Sequence, residues 1–212
     1  MGGHSKSIKG NRGRMTTMQP NMKLALIALA LAAAPAGAQK IGSDGEAFLT
    51  ALREGNGSKA VSLAEGKGST VINYRGDDGE SALHVVIRKR NSNWIGFLLA
   101  NGANPDAADK KGDTPLILAA RSGYGEGAAQ LLTNRAQVDR ANRLGETALI
   151  VAVQQRNGPI VSTLLKLGAN PDKADHASGY SARDYAKRDS RSKEMLRLIE
   201  TVKSRIPVKP AG

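Results

Sequence analysis

The residue best suited to catalysis or metal binding is His84, which follows three carboxylates within a few positions. An imidazole beside carboxylates is the arrangement found in general bases and in metal sites. The chain has only two other histidines: His4 lies near the amino terminus, and His176 lies in a predicted loop far along the sequence. We therefore predict that no three-histidine metal site forms and that His84 is structural rather than catalytic.

Two glycine-rich stretches, at 55–58 and 123–127, were compared with phosphate-binding loops. Neither ends in the Lys-Ser or Lys-Thr pair of such a loop, and neither follows a convincing parallel strand, so both are predicted to be turns between helices. The chain also has no Gly-x-Ser-x-Gly elbow, no His-Glu-x-x-His phrase and no cysteine. We predict a protein that is not an enzyme and uses no metal or cofactor.

The formal charge of the 212-residue chain is +12, a value that by itself favours nucleic acid or anionic membrane as a partner. Five basic residues and no acidic ones precede residue 39, however, so the remainder carries 26 basic against 19 acidic residues. Basic residues also cluster between 183 and 209, without an interleaved aromatic platform on which bases could stack. We predict no nucleic-acid partner, and interpret the basic face as solvated or weakly attracted to an acidic surface.

Residues 22–38 have the layout of a secretory signal peptide. Lys23 precedes an uncharged apolar run from Leu24 to Ala34, and Pro35 and small residues follow it. The run is about half of the ~20 residues that a spanning helix needs. We predict a leader at 1–38, cleavage after Ala38, and a periplasmic or secreted location. An amino-terminal membrane anchor and a buried core helix stay open as alternatives, and residues 1–21 are left out of the fold reasoning.

Two phrases recur along the chain at a fixed interval. The first occupies 78–84, 111–116 and 144–149, where Gly79, Gly112 and Gly145 are 33 residues apart. The second occupies 98–106, 131–139 and 164–172, and its leucine pairs are also 33 residues apart. Self-similarity at such a period is typical of stacked repeat proteins.

A period of 33 with Gly-x-Thr-Pro-Leu-His, Leu-Leu and Gly-Ala phrases resembles the ankyrin repeat. The resemblance covers about residues 44–200, as three well-matched units between two degenerate ones, which are expected at the ends of a solenoid. It implies an all-α solenoid of about five helix–turn–helix units with projecting loops or β-hairpin tips, in which His84 forms hydrogen bonds within its repeat. We expect a repeat domain at 39–203, with units at about 44–77, 78–110, 111–143, 144–177 and 178–203, and a flexible tail at 204–212.

The residues of each unit explain this architecture. Thr or Ser at 81, 114 and 147 can cap the start of an inner helix, and Pro115 fits a first helical turn. Leucine pairs supply the apolar stripe of an outer helix. Gly102 and Gly168 stand where the outer helix ends, in the left-handed conformation that glycine tolerates best. Arg135 occupies the same position in the third unit, so we predict a strained, left-handed arginine there.

The family's binding surface is concave and is lined by loop tips and by the exposed side of the inner helices. Transferred by repeat phase, the resemblance implies partner-binding positions at Asp77, Asp78, Glu80, Arg88, Lys89, Lys110, Lys111, Asp113, Arg121, Ser122, Arg143, Leu144, Glu146, Gln154, Gln155 and Tyr180. Their charges predict a gradient along one groove, from acidic to basic, with Leu144 and Tyr180 as apolar anchors.

We therefore expect a bacterial, exported and monomeric interaction module that binds another protein and has no stable membrane insertion after cleavage. The alternative is an inhibitor or toxin-neutralising protein that acts on an enzyme produced alongside it. The identity of the partner is not predictable from the sequence, because fold and function are separable.

Overall fold

The computed structural model describes residues 1–2, 36–67 and 69–202, and side chains are described outside 36–43 and 66–69. Most of the predicted leader and the whole predicted tail at 204–212 therefore lie outside the described residues. By its contacts the chain divides into Met1–Ala36 and Gly37–Gly212. Apart from the first residue of helix α1, every element described below belongs to the second unit.

The described part of this unit is helical. Eleven α-helices follow one another within the described residues: α1 Ala36–Glu54, α2 Gly57–Lys67, α3 Ser69–Ile72, α4 Ala82–Arg88, α5 Ser92–Ala100, α6 Pro115–Ser122, α7 Gly125–Thr133, α8 Ala148–Gln154, α9 Gly158–Lys166, α10 Ala182–Arg188 and α11 Lys193–Thr201. The described residues contain no strand. Of the predicted hairpin tips, they show only two isolated β-bridges, Arg75 with Ser81 and Ala174 with Ser181. No helix among the described residues is both long enough and apolar enough to span a bilayer.

The inner helices begin where the sequence predicts. Thr114 and Thr147 cap α6 and α8, since their hydroxyls accept hydrogen bonds from the backbone N–H groups of Ile117 and Ile150 at 3.2 and 3.3 Å. Pro115 is the first residue of α6. Each cap satisfies a backbone donor that the helix itself leaves unpaired, which is typically worth about 1 kcal/mol.

The helices form two layers. The inner helices α4, α6, α8 and α10 pack in series, the outer helices α5, α7, α9 and α11 pack in a second series, and each inner helix also contacts the outer helix that follows it. Side chains between the layers form one apolar core, which includes Ile87, Leu116, Leu149 and Ile160. These four side chains are almost completely buried. A stack of this kind is stabilised repeat by repeat through contacts between neighbours.

The turns between helices confirm one prediction and correct another. Arg135 has φ +66°, in the same region as Gly102 and Gly168 at +83° and +89°, as predicted. The glycine-rich stretches are only partly turns, because helix α7 already begins at Gly125 and helix α2 at Gly57. Glycine opens both helices because a first turn tolerates residues that weaken a helix interior.

Two further left-handed arginines were not predicted. Arg90 and Arg156 both have φ +53°, and they lie 33 residues on either side of Gly123, whose φ is +67°. Their guanidinium groups extend to the next repeat, where Arg90 donates to the carbonyl oxygen of Ser122 and Arg156 pairs with Asp189 at 3.0 Å. The sequence analysis missed them because it looked for glycine at such turns.

A ladder of hydrogen bonds joins the loops of successive repeats. The backbone N–H groups of Lys110, Arg143 and His176 donate to the carbonyl oxygens of Asp78, Lys111 and Leu144 at 2.9, 3.1 and 2.7 Å. The 33-spaced glycines lie at these crossings: a Cβ atom on Gly112 would lie 2.7 Å from the backbone nitrogen of Arg143. The recurring glycine is therefore required by its positive φ and by the close approach of the next loop.

Candidate functional site

His84 forms structural hydrogen bonds at the start of α4. It is 1% exposed, its Nδ1 accepts from the backbone N–H of Ser81 at 3.2 Å, and its Nε2 lies 2.9 Å from the carbonyl oxygen of Asp113 in the next repeat. Because Nδ1 is an acceptor, the ring proton resides on Nε2 and is donated to that carbonyl. Burial lowers the pKa of His84, so the imidazole is held in its neutral form. It joins two repeats and has no free nitrogen for catalysis.

The acidic and basic positions of the inner helices pair with each other. Glu80 contacts Arg53 at 3.1 Å and also pairs with Arg88, while Asp113 contacts Arg121 at 3.3 Å. Glu80 and Asp113 are only 3% and 7% exposed. The predicted charge gradient along the groove is therefore wrong for these two carboxylates, because each is buried and paired with arginine side chains of the same protein. The geometric reason is that an acid just before an inner helix lies beside a base in its last turn.

The side formed by the loops and the inner helices, which the resemblance predicts to be concave, contains a pocket of about 600 Å³ lined by residues of the second, third and fourth units. Seven of the predicted binding residues line it, namely Arg88, Lys111, Asp113, Arg121, Arg143, Leu144 and Glu146. Its volume is in the range in which proteins bury a small ligand or several side chains. The repeat phase therefore brings residues from three consecutive units to one pocket.

The other predicted residues lie outside this pocket. Asp77, Asp78 and Lys110 are exposed in the loops, and Lys89 and Gln155 are exposed after inner helices. Ser122 and Gln154 are half-buried at the ends of α6 and α8, while the buried Glu80 pairs with arginines at the start of the row. These loop and helix-end residues occupy equivalent positions in successive repeats, but they do not line the pocket.

The two predicted apolar anchors differ in their surroundings. Leu144 is 55% exposed and is the only large hydrophobic residue besides Met1 that is exposed among the described residues. Tyr180 is half-buried, meets the ring of Tyr185 edge-to-face at 5.8 Å and lies under the guanidinium of Arg188 at 4.4 Å. Leu144 is available to a partner, whereas Tyr180 is largely covered by its own repeat.

Three residues of the pocket were missed by the sequence analysis: Asp109, Leu118 and Asn142. Asn142 is the most informative, since its side-chain nitrogen donates to Asp113 at 2.8 Å and to Glu146 at 2.9 Å. Its oxygen accepts from two backbone N–H groups in its own loop. Asn142 thus orients carboxylates of two repeats. The available signal was its phase, because Asp109 and Asp175 lie 33 residues before and after it.

Asp175 shows the same loop arrangement without an open site. It is 5% exposed and accepts hydrogen bonds from Tyr185 at 2.6 Å and from Ser178 and Gly179. Burial raises the pKa of this carboxyl, but the hydrogen bonds outweigh that effect and hold the pKa below its usual value. All of these partners follow Asp175 within 10 residues of the chain, so this carboxylate stabilises a loop. Among the described residues, no group of three or more His, Asp or Glu side chains is arranged to hold a metal ion.

Comparison with known proteins agrees with this architecture. The profile for ankyrin repeats (three copies) matches residues 48–142 and 83–175, which together cover more than half of the chain. A putative ankyrin repeat protein of Acanthamoeba polyphaga mimivirus is 45% identical over 51 residues, or 24% of this chain and 7% of that protein. An E3 ubiquitin-protein ligase of Arabidopsis thaliana is 38% identical over 68 residues, or 30% of this chain and 4% of that protein.

The third relative is SH3 and multiple ankyrin repeat domains protein 2 of Homo sapiens, 38% identical over 76 residues, or 36% of this chain and 4% of that protein. The chain thus matches less than a tenth of the length of each of these relatives. The likeness is therefore to their repeats and not to whole proteins. Ankyrin repeats are in general protein–protein interaction modules, and by its matched profile, its 33-residue period and its paired helices this chain belongs to the ankyrin-repeat family.

Proposed function

We propose that this protein is a non-catalytic interaction module that binds a partner protein through the pocket on its concave side. The observation that carries the proposal is the position of Leu144, a 55% exposed leucine on the rim of a 600 Å³ pocket. Binding pockets commonly combine an apolar surface with a few fixed polar groups, and Leu144 and Leu118 line this pocket together with fixed carboxylates. Complete burial of a leucine contributes about 1.5–3 kcal/mol, so covering the 55% of Leu144 that is exposed would contribute about 0.8–1.7 kcal/mol, which is in the range of a main contact residue.

The rigid surroundings of Leu144 support the same proposal. Its backbone N–H donates to Asn142 at 3.0 Å, and its carbonyl accepts from His176 at 2.7 Å. Both backbone groups of the residue are therefore held in place. A contact residue on a fixed backbone binds with a smaller loss of conformational entropy than one on a mobile loop.

We further propose that the protein acts outside the bacterial cytoplasm. This proposal rests on the amino-acid sequence between Met22 and Ala38 alone, which has the charge, length and small residues of a signal peptide. Cell fractionation with amino-terminal sequencing by mass spectrometry tests it. A mature chain that begins at Gln39 in the extracytoplasmic fraction is the expected result, and an uncleaved cytoplasmic chain would contradict the proposed location.

Affinity capture with a single substitution tests the binding proposal. The tagged full chain and its Leu144→Asp variant are compared with an Ala129→Asp variant, which adds the same charge at an exposed position on the outer helix α7. We expect the main captured protein to be reduced at least tenfold by Leu144→Asp and to be retained by Ala129→Asp. Melting temperatures are measured first, so that all three proteins are compared in the folded state.

Equal capture by all three proteins would refute the assignment of the concave pocket. Loss of capture with Ala129→Asp alone would place the binding surface on the outer helices instead.

A further inference from the structure

The carboxylates of the concave pocket already have hydrogen-bond donors within the protein. Both oxygens of Asp113 accept from Arg121 at 3.3 Å, and one of them also accepts from Asn142 at 2.8 Å. Glu146 accepts from Asn142 at 2.9 Å and contacts Arg121 at 3.4 Å. Asp109 accepts from the backbone N–H groups of Lys111 and Asp113 at 2.8 and 2.9 Å. Both oxygens of Asp113 are therefore satisfied, whereas Asp109 and Glu146 accept these bonds on one oxygen each, and all three carboxylates are fixed by donors of the protein itself.

Two cationic side chains of the same pocket have no such partner. The side chains of Lys111 and Arg143 form no hydrogen bond or ion pair within the described part of the chain, and both residues are exposed. They lie on adjacent loops whose backbones are joined by a 3.1 Å hydrogen bond from Arg143 to Lys111. Arg88 pairs with Glu80 but its side chain remains 60% exposed. The most exposed charged groups of the pocket are therefore donors, because the side chains of Asp113 and Glu146 are only 10% and 15% exposed.

The apolar part of the pocket adjoins these donors. Leu144 directly follows Arg143 in the chain, and the half-buried Leu118 of helix α6 lines the same cavity. A ligand that reaches the open cations is therefore within reach of an apolar surface as well. This combination selects for a carboxylate next to an apolar side chain.

We propose that this pocket binds an acidic segment of a partner polypeptide, in which an Asp or Glu carboxylate contacts Lys111 and Arg143 while a neighbouring apolar side chain packs against Leu144. The inference rests on the proposed function and adds the chemistry of the partner. Hydrogen bonds between charged groups are short and strong, and the planar guanidinium of Arg143 suits a carboxylate. The two apolar contacts supply the burial that charge alone does not.

A nucleic acid fits this pocket less well than a short acidic segment does. Asp109, Asp113 and Glu146 are fixed beside the cations, so a continuous chain of phosphates would meet like charges along the groove. No aromatic side chain lines the pocket, and stacking platforms are the usual feature of single-strand binding. One or two carboxylates, in contrast, can contact the open donors and avoid the fixed acids.

Selection from a displayed library of random peptides on the full chain tests the proposal. The same selection is run in parallel on two variants in which the charge of basic side chains is reversed. The first carries Lys111→Glu and Arg143→Glu in the pocket, and the second carries Lys166→Glu, a control at an exposed lysine of the outer helix α9. We expect the wild-type selection to enrich Asp or Glu beside Leu, Ile, Met or Phe. An enriched peptide is then synthesised, and its affinity is measured by fluorescence anisotropy.

We expect the double reversal to lower the affinity for that peptide by about tenfold or more, which is the effect of losing a charge-assisted hydrogen bond. The Lys166→Glu variant should bind the peptide with unchanged affinity. The peptide with its acids replaced by Lys should regain affinity for the double reversal variant. Enrichment without acidic residues, no enrichment, or binding that the double reversal leaves unchanged would overturn the inference. So would a single-stranded oligonucleotide that binds the wild type as tightly as the peptide.

The result also distinguishes this inference from the proposed function. Peptides that lack acids but lose binding with Leu144→Asp would refute the acidic partner while keeping the pocket as a binding site. Peptides that bind equally well to the Leu144→Asp variant would refute both.

Discussion

Replacement of Arg135 by glycine should stabilise the protein, although it removes a whole side chain. Arg135 has φ +66°, its side chain is exposed, and within the described residues that side chain forms no hydrogen bond or ion pair. Its backbone N–H donates to the carbonyl oxygen of Leu132 at 3.1 Å, and glycine keeps this bond. The substitution therefore relieves backbone strain and removes no hydrogen bond or ion pair.

The expected gain follows from two opposing terms. A left-handed conformation costs an L-residue about 1–2 kcal/mol, whereas the greater freedom of glycine in the unfolded chain costs about 0.4–1 kcal/mol. The net gain is therefore a few tenths to about 1 kcal/mol. In a domain of this size, 1 kcal/mol raises the melting temperature by about 2–4 °C. Urea unfolding of the full chain measures it as a shift of the midpoint at constant slope.

Two other arginines serve as matched controls, because they share the strain but have contacts to lose. Arg156→Gly removes the 3.0 Å ion pair with Asp189, and Arg90→Gly removes a hydrogen bond to Ser122 and the stacking of the guanidinium 5.7 Å from the ring of Tyr124. Partly exposed pairs contribute about 0–1 kcal/mol, so these gains should be smaller or absent. A lower midpoint for Arg135→Gly would refute the reasoning, and equal gains in all three would show that the arginine contacts contribute nothing.

Two further predictions concern the contacts between repeats. Gly112→Ala should cost about 1–3 kcal/mol more than Gly102→Ala: both glycines have φ +83°, but only at Gly112 would the Cβ atom meet another loop, 2.7 Å from the nitrogen of Arg143. Equal midpoints in urea would show that the loops do not approach so closely. Burial lowers the pKa of His84 in the folded protein, so at pH values below about 6.5 this imidazole is protonated in the unfolded chain more than in the folded one. The free energy of unfolding should therefore fall as the pH drops below about 6.5. In His84→Gln, unfolding between pH 7 and 5 should depend less on pH, and an unchanged pH dependence would contradict the neutral, buried imidazole.

Much of the fold was predictable because its signals are local and recur. The helix caps at Thr114 and Thr147 and the left-handed turn at Arg135 each depend on a few consecutive residues, and the 33-residue period aligns them with equivalents elsewhere. The left-handed conformation of Arg90 and Arg156 was missed, although both are in phase with Gly123. Residue type was given more weight than phase, and an arginine does not indicate a positive φ.

The candidate site was predictable in position but not in chemistry. Seven of the residues selected by repeat phase line one pocket, but the buried Asp113 was among those predicted to meet a partner. In the structure Asp113 accepts from Arg121 and also from Asn142, which lies 29 residues further along the chain. Whether a charged group is open or satisfied depends on atoms brought together from different units, which a list of positions does not contain.

The repeat, its helices and most of its turns follow from the amino-acid sequence, because capping, apolar periodicity and glycine conformation act over a few residues. Which charges are neutralised and which remain open depends instead on the three-dimensional packing. The stacking of one repeat on the next places Asn142 between Asp113 and Glu146 and leaves Lys111 and Arg143 without a partner among the described residues. Hydrogen bonds and ion pairs depend on distances of a few ångströms, and those distances are set by packing between repeats.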